Sequence, residues 1–520
     1  MQRPMTTFLL ALIPVGFLGF FLVYPFVRAI LAGVEAGFVE QLRSVLGEKY
    51  YWERIGWSLQ QATYSSVLSA LLGVPAALTL AKYNFPFKRG LMRVLMLPLV
   101  TPGIVAAMGI LSLVGARGLT GLHLQDTAFL VILGNVFYNQ SLIVRFVHAG
   151  LMRIPANAVQ AAQVLGASRF RVLLRVILPL VLPHLLGAFS LVFLYCFSSF
   201  SLALLLGGQK YSTLEVEIYT LTLYQLDLSR AGILVLIQFL ITGLAALVYT
   251  ALQKRTSTTG EFRARVLPAP RGVQWLEVAF WVGLTGVIAL APLLSVFLKS
   301  VLGQEGFTWQ FYQGILTSDT LKALWNTLRF SVAAMLLSLV VGGLQAVVTF
   351  RRASPAVDAL SMLPFLVSMV SVSVGYLLAY PGLSGSLTLL IGAYTLLAYP
   401  FVTRTVLAGL RTLSPAMVQS ARVLGASPIR VWMRVTLPLL KGSIRTGAAF
   451  ALASAIGEFA ATLILQRPEW TTLSTLIYQT LGRPGAQNLG QAAALSSMLL
   501  GITYLAFRVL EEDAAGQNSF

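Results

Sequence analysis

Apolar residues arrive in this chain in blocks of about 20, each long enough to cross the hydrocarbon core of a bilayer as a helix. Lipid offers no partner to backbone amides and carbonyls, so blocks of this kind must close their own hydrogen bonds as helices. Charged residues fill only 11% of the 520 positions and hydrophobic residues fill 57%. A soluble domain carries roughly 25% charged residues, and too few are present here to coat a water-facing surface. The expected class is an all-α polytopic membrane protein embedded in a lipid bilayer. The net charge of +19 does not point to nucleic acid, because that reading needs a basic face on a soluble domain. Excess lysine and arginine in the loops on one side of a membrane explains it instead.

Hydropathy places spans near 7–31, 57–81, 91–115, 128–149, 176–206 and 230–252, then near 274–300, 324–350, 356–380, 384–406, 435–465 and 487–510. This predicts about twelve transmembrane helices. The stretch from Thr6 to Val27 is too long for a signal-peptide core and is expected to remain as an uncleaved first span. The segment after the second span holds Lys82, Lys88, Arg89 and Arg93 without an acid, and the one after the fourth holds Arg153, Arg169, Arg171 and Arg175. Glu35, Glu40, Glu48 and Glu53 crowd the segment between the first two spans. Even-numbered spans are therefore expected to end in the cytoplasm, with both termini there.

The chain repeats itself. AVQAAQVLGASRFRVLLRVILPLVLP at 158–183 matches MVQSARVLGASPIRVWMRVTLPLLKG at 417–442, so that Gln160, Gly166 and Pro179 map to Gln419, Gly425 and Pro438 with one displacement of 259 residues. Arg145 and Arg404 keep that displacement, as do Thr213–Leu214 and Thr472–Leu473. LMLPLVTP at 95–102 resembles SMLPFLVS at 361–368 with a slightly larger one. An even number of spans per repeat gives two six-helix halves of the same orientation, related by a pseudo-twofold axis along the membrane normal. The expected divisions are residues 1–253, a polar linker at 254–272, and residues 273–520.

Each repeated loop reads as a short helix, a glycine turn and a second helix that runs into the membrane. Pro155 and the Ser414–Pro415 pair suit a helix start. Ala158, Ala161 and Ala162, then Ala416 and Ala421, give each helix a small-residue face. Gly166 and Gly425 stand where a left-handed C-cap is wanted, and Ser168 and Ser427 can cap the helix that follows. One such loop could simply pack on its own protein. Two copies at equivalent points favour a function needed twice, such as docking a symmetric dimer.

The pattern Gln-Ala-Ala-x-x-x-Gly, followed after nine residues by Val-x-Leu-Pro, resembles the EAA loop of binding-protein-dependent ABC permeases. The resemblance implies the type I ABC importer permease fold and a loop that enters a cleft of an ABC ATPase subunit. It maps the motif onto Gln160, Ala161, Ala162, Gly166 and Pro179 in the first copy, and onto Gln419, Ala421, Gly425 and Pro438 in the second. The sequence departs where the motif's leading glutamate is Gln160 or Gln419 and where Ser420 replaces an alanine. No G-x-x-x-x-G-K-[ST] phosphate loop occurs, so the chain is expected to be no enzyme and to have no cofactor of its own. ATP hydrolysis is assigned to a partner dimer, and an extracytoplasmic solute-binding protein is the second expected partner. The implied location is the bacterial cytoplasmic (inner) membrane. Residues 200–238 look like fused thiamine permeases, and GEFAATLILQRPEWTTLSTLIYQTLGRPG is similar to thiamine and iron(III) members. Thiamine or its phosphates lead as cargo, with iron(III) next.

Few polar residues interrupt the spans. Glu458 in AIGEFAATLIL either lines the pathway or its outer gate, or makes a structural hydrogen bond. Its repeat mate is Ser199. Asn135, Tyr138 and Asn139 share a face of the fourth span, with Gln140 beside them, and serve either interhelical bonding or the pathway. His123, His148 and His184 lack ligand spacing, so no metal site is expected. The outer segments 209–227 and 467–485, with the matched YSTL and WTTL, are candidates for contact with a solute-binding protein or are ordinary surface loops. The alternative function is an ion-coupled secondary transporter with two six-helix halves. It needs coupling acids inside its spans, and Glu458 is the one candidate.

Overall fold

The computed structural model describes all residues except 1–3, 36, 257–266, 304, 353, 362, 366, 384, 466 and 516–520. Most of the expected linker lies outside the described residues. Among the described residues, ten helices are long and apolar enough to cross a membrane: Phe8–Gly33, Lys49–Lys82, Ala128–Leu151, Phe170–Phe197, Leu228–Leu252, Gln274–Val301, Ser318–Arg352, Leu387–Thr412, Lys441–Ile464 and Ala486–Leu510. The other two expected spans are broken. In the first half, Lys88–Val100 and Gly103–Val114 meet at 106°. In the second, the run is divided into Pro355–Leu360, Leu363–Phe365 and Met369–Ala379. Ten crossings and two sharply interrupted segments therefore stand, among the described residues, where about twelve uniform spans were expected. Proline is the local cause in the first half, because Pro98 and Pro102 remove two amide donors within one turn. Thr101, directly before Pro102, is extended, with ψ 129°.

Small residues set the packing inside each half. In the second span Ala62, Ser65, Ser69, Gly73 and Ala77 are buried, and Ser331, Ala334, Ser338, Gly342 and Ala346 are buried in the eighth. A Cβ on Gly73 would lie 2.9 Å from Ile143 of the fourth span, and one on Gly342 would lie 2.7 Å from the Tyr399 carbonyl oxygen of the tenth. Close approach of this kind is what drives helix association where water supplies no hydrophobic force.

The halves interlock by exchanging contacts. Gly103–Val114 of the first half packs on Gln274–Val301, the first helix of the second half, and Met369–Ala379 of the second half packs on Tyr24–Glu35 of the first. The crossing points correspond: Gly109 meets the backbone of Pro292, and Gly375 meets the backbone of Pro25, with no room for a Cβ at either glycine. Ser295 Oγ donates to the Gly109 carbonyl at 2.7 Å, and Tyr380 OH donates to the Phe20 carbonyl at 2.8 Å. The chain just before Gln274–Val301 and the first turn of that helix are also tied to the first half. Asn84 N donates to the Pro268 carbonyl at 2.9 Å, and Lys82 Nζ lies 2.9 Å from a Glu277 carboxylate oxygen.

Candidate functional site

Both repeated loops form the same object. Ala156–Val164 and Pro415–Val423 are helices of nine residues, each followed by a glycine at φ +79° and by a four-residue helical segment, Arg169–Val172 or Pro428–Val431. The turn is hydrogen-bonded as a Schellman motif. Ala167 N donates to the Ala162 carbonyl at 3.0 Å and Gly166 N to that of Gln163 at 2.9 Å; Ala426 N donates to Ala421 at 3.1 Å and Gly425 N to Arg422 at 3.0 Å. A left-handed φ is open to glycine at no steric cost, which accounts for the residue type. Ser168 Oγ accepts from Arg171 N and Ser427 Oγ from Arg430 N, so both serines cap the second segment. The helix starts differ from the sequence expectation. Pro155 is the N-cap rather than the first helical residue, and the Ser414 side chain makes no capping bond.

What these loops present is unburied. Gln160, Ala161 and Gln419 are exposed, Ala162 and Ala421 half-buried. Beside each glycine stands an apolar pair left almost wholly uncovered: Leu165 is 86% exposed and Leu424 is 87% exposed, with Val164 and Val423 at 87% each. Phe170 and Ile429 extend the same patches and are also exposed. The two copies thus leave apolar side chains uncovered at equivalent sites.

Behind each loop the helix widens for one turn. Leu173–Ile177 and Trp432–Thr436 are π-helical, closing with Leu178 N to the Leu173 carbonyl and Leu437 N to the Trp432 carbonyl. Pro179 and Pro438 follow directly and are exposed. A proline inside an α-helix clashes with the carbonyl four residues back and donates nothing to it. The wide turn ahead of it relieves that conflict. Sequence reasoning found the Leu-Pro pair but not the π-turn, which has no compositional signal of its own.

The helices launched from these loops end at a second pair of equivalent breaks. Phe170–Phe197 spans about 42 Å at 1.5 Å per residue and stops at Ser198; Phe200–Leu206 then starts as a separate helix. In the second half Lys441–Ile456 stops at Gly457, and Ala460–Ile464 follows. Ser199 and Glu458 sit in these breaks. Ser199 Oγ donates to the Cys196 carbonyl at 2.9 Å, and a Glu458 carboxylate oxygen accepts from Ala461 N at 2.7 Å, with Glu458 buried. The next residues, Phe200 and Phe459, stack on each other across the halves with ring centroids 5.9 Å apart and planes at 27°. Tyr219 backs Phe200 at 5.3 Å, and Tyr478 backs Phe459 at 5.5 Å. All four aromatics obey the 259-residue displacement. The sequence reading missed them because aromatic residues in apolar runs look like ordinary core; their equivalence in the repeat was the available signal.

Asn135 and Asn139 stand elsewhere, inside the first half. Asn135 Nδ2 donates to Gln61 Oε1 at 2.7 Å, Gln61 Nε2 to the Cys196 carbonyl at 2.8 Å, and Asn139 Nδ2 to the Asn135 carbonyl at 2.9 Å. Gln140 Nε2 reaches Thr285 Oγ1 of the other half at 3.1 Å, and Tyr138 OH donates to the Thr101 carbonyl. These amides join helices. The matched YSTL and WTTL are not surface loops either. Thr213, Leu214, Thr472 and Leu473 are buried at the starts of Leu214–Leu223 and Leu473–Leu481. Ser58 Oγ accepts from Leu214 N and Thr327 Oγ1 from Leu473 N, pinning both short helices to the second and eighth spans. Only the flanks of these segments, such as Gln209–Lys210 and Arg467–Glu469, remain exposed.

Comparison with known proteins agrees with this architecture. The family model described as binding-protein-dependent transport system inner membrane component matches twice, at residues 69–258 and 348–512. The thiamine transport system permease protein ThiP of Escherichia coli (strain K12) is 26% identical over 496 residues, covering 90% of each chain. The ThiP of Salmonella typhimurium (strain LT2) is 27% identical over 487 residues, covering 88% of each. The ferric transport system permease protein FbpB of Actinobacillus pleuropneumoniae is 24% identical over 521 residues, 92% of this chain and 74% of that one. Two matched units, two equivalent loops and interlocked helical halves have one common explanation: the chain belongs to the inner membrane components of binding-protein-dependent transport systems, as a multi-pass permease of an ABC importer with both permease units fused in one polypeptide.

Proposed function

We propose that this permease takes thiamine or a thiamine phosphate from a solute-binding protein, with iron(III) as the next cargo. A separate dimeric ATPase drives the step through the loops at 156–172 and 415–431. The observation that carries the coupling role is the pair of matching knobs, each rigidified by a Schellman turn and tipped by a solvent-exposed Val–Leu pair. In this reading the knobs face the cytoplasm with both termini, in keeping with the lysine and arginine excess of the loops on that side. Gln160 and Gln419 offer amide hydrogen bonds to the ATPase where an acid would offer a salt bridge. Pro179 and Pro438 hold the wide turns through which each loop levers its long helix. Ser199 and Glu458 lie at the outer ends of those helices, where the pathway closes. Hydrolysis belongs to the ATPase, and this chain forms the path.

The cargo preference follows the printed functions of relatives that match nearly end to end. Its test is direct binding of thiamine, thiamine phosphates and ferric iron to the partner solute-binding protein, followed by ATP-driven uptake of whichever binds. Uptake of thiamine without ferric iron supports the proposal; ferric iron alone overturns the cargo and leaves the coupling role intact.

A further inference from the structure

We infer that the pathway is sealed at its outer end by one aromatic stack, Phe200 on Phe459, and that cargo passes only when the short helices carrying these rings part. A residue that touches its own repeat mate must lie on the pseudo-twofold axis, and a path between two equivalent halves runs along that axis. Phe200 and Phe459 are mates and are in stacking contact at 5.9 Å. Their burial, at 5% and 2% exposure, leaves no open passage where they meet. Tyr219 and Tyr478 stand behind them on Leu214–Leu223 and Leu473–Leu481, so the seal is an aromatic layer four rings wide.

The surroundings are built to let this layer move. Phe200 opens a helix of seven residues and Phe459 immediately precedes one of five, each detached from its long helix by a non-helical residue: Ser199 has ψ 82° and Phe459 has φ −128°. The break of the third span lies against the same place. A Cβ on Gly103 would sit 3.0 Å from Ser201 Oγ, and one on Gly457 would sit 3.1 Å from Pro102. Each long helix connects a coupling loop at one end to one ring of the stack at the other. Displacing the two loops relative to each other therefore pulls on the two rings separately. An offset aromatic pair contributes only about 0.5–1.5 kcal/mol beyond its buried area, a contact that a protein can make and break in each cycle.

The inference rests on the permease assignment and not on which cargo is carried, and its test uses the complete transporter in proteoliposomes. In a Cys196→Ala background, Phe200→Cys with Phe459→Cys is treated with a short, reducible bifunctional thiol reagent. Cross-linking should lower the ATP-driven uptake of this pair about tenfold or more below its own untreated rate, and reduction should return it to that rate; each single-cysteine chain should keep its own untreated rate through the same treatment. In a second arm, Phe200→Ala with Phe459→Ala should lose preloaded mannitol, a solute unrelated to any proposed cargo, about tenfold faster than the unaltered transporter during ATP turnover. Co-purification of the ATPase checks that each variant is folded, and a Phe200→Leu, Phe459→Leu pair supplies the same measurement if the alanines do not fold. Undiminished uptake by a cross-linked pair, failure of the two thiols to be bridged in a folded transporter, or mannitol retention equal to that of the unaltered chain would each overturn the inference.

Discussion

Tyr376 donates its hydroxyl proton to the carbonyl of Phe21 at 2.7 Å, although the two residues stand 355 positions apart in the chain. Pro25 explains why that carbonyl needs a donor. Lacking an amide hydrogen, Pro25 cannot serve the carbonyl four residues behind it, and the chain also widens into a π-turn over Gly19–Val23. A tyrosine from the other half supplies the missing hydrogen. Tyr376→Phe should therefore cost about 0.5–1.5 kcal/mol through loss of this part-buried hydrogen bond, visible as a lower unfolding temperature in detergent.

Gly109→Ala and Gly375→Ala test the same interlock from its backbone side. Each new methyl meets a proline carbonyl, and overpacking should cost roughly 1–3 kcal/mol. Gly343→Ala, where nothing lies within 4 Å of the added methyl, should change stability by less than about 0.5 kcal/mol. Equal thermal midpoints for all three variants would remove the interlock from the account.

At the coupling loops, conformation and surface can be separated. Gly166→Val with Gly425→Val forces a β-branched residue to φ +79° at each turn and should misplace both knobs, at about 1–2 kcal/mol per turn. Leu165→Asp with Leu424→Asp leaves the turns untouched and alters only side chains already in solvent, so stability should shift by less than about 0.5 kcal/mol. Both pairs should lose ATPase co-purification and uptake. An aspartate pair that still binds its ATPase and transports normally would remove the docking role.

The Gln61–Asn135 contact tests whether these amides serve packing or the pathway. Asn135→Leu alone strands a buried amide and should cost about 1–3 kcal/mol, while Gln61→Leu with Asn135→Leu should cost less than the two single changes combined. The KM for cargo should stay constant across the cycle. A KM that rises in step with loss of the amides would place Asn135 in the pathway.

How much of this was legible beforehand depended on the kind of signal. Long apolar blocks placed the crossings because lipid imposes a length on them, and the 259-residue repeat paired the loops because both copies keep the glycine their turn requires. Breaks were less visible. The run at 91–115 is apolar apart from Arg93, Thr101 and Ser112, so hydropathy alone could not distinguish a straight span from two segments meeting at 106°; only Pro98 and Pro102 hinted at it. YSTL and WTTL appeared external because they are polar and follow a span. The Leu214 and Leu473 amides are instead taken up by Ser58 and Thr327, and Thr472 closes a capping box with Thr475, while Thr213 is buried without a capping bond. Phe200 and Phe459 carried no polarity to draw notice, and their contact exists only once two distant segments meet on the axis.

Reconstituted transport tests the central claim most directly. The permease is placed in proteoliposomes with its ATPase and solute-binding protein, and uptake of the bound cargo is followed with ATP, without ATP, and with ionophores. The account predicts two ATPase subunits per permease chain and uptake that requires ATP hydrolysis while ignoring a collapsed ion gradient. Uptake by the permease alone, sustained by an ion gradient and abolished by ionophores, would contradict it.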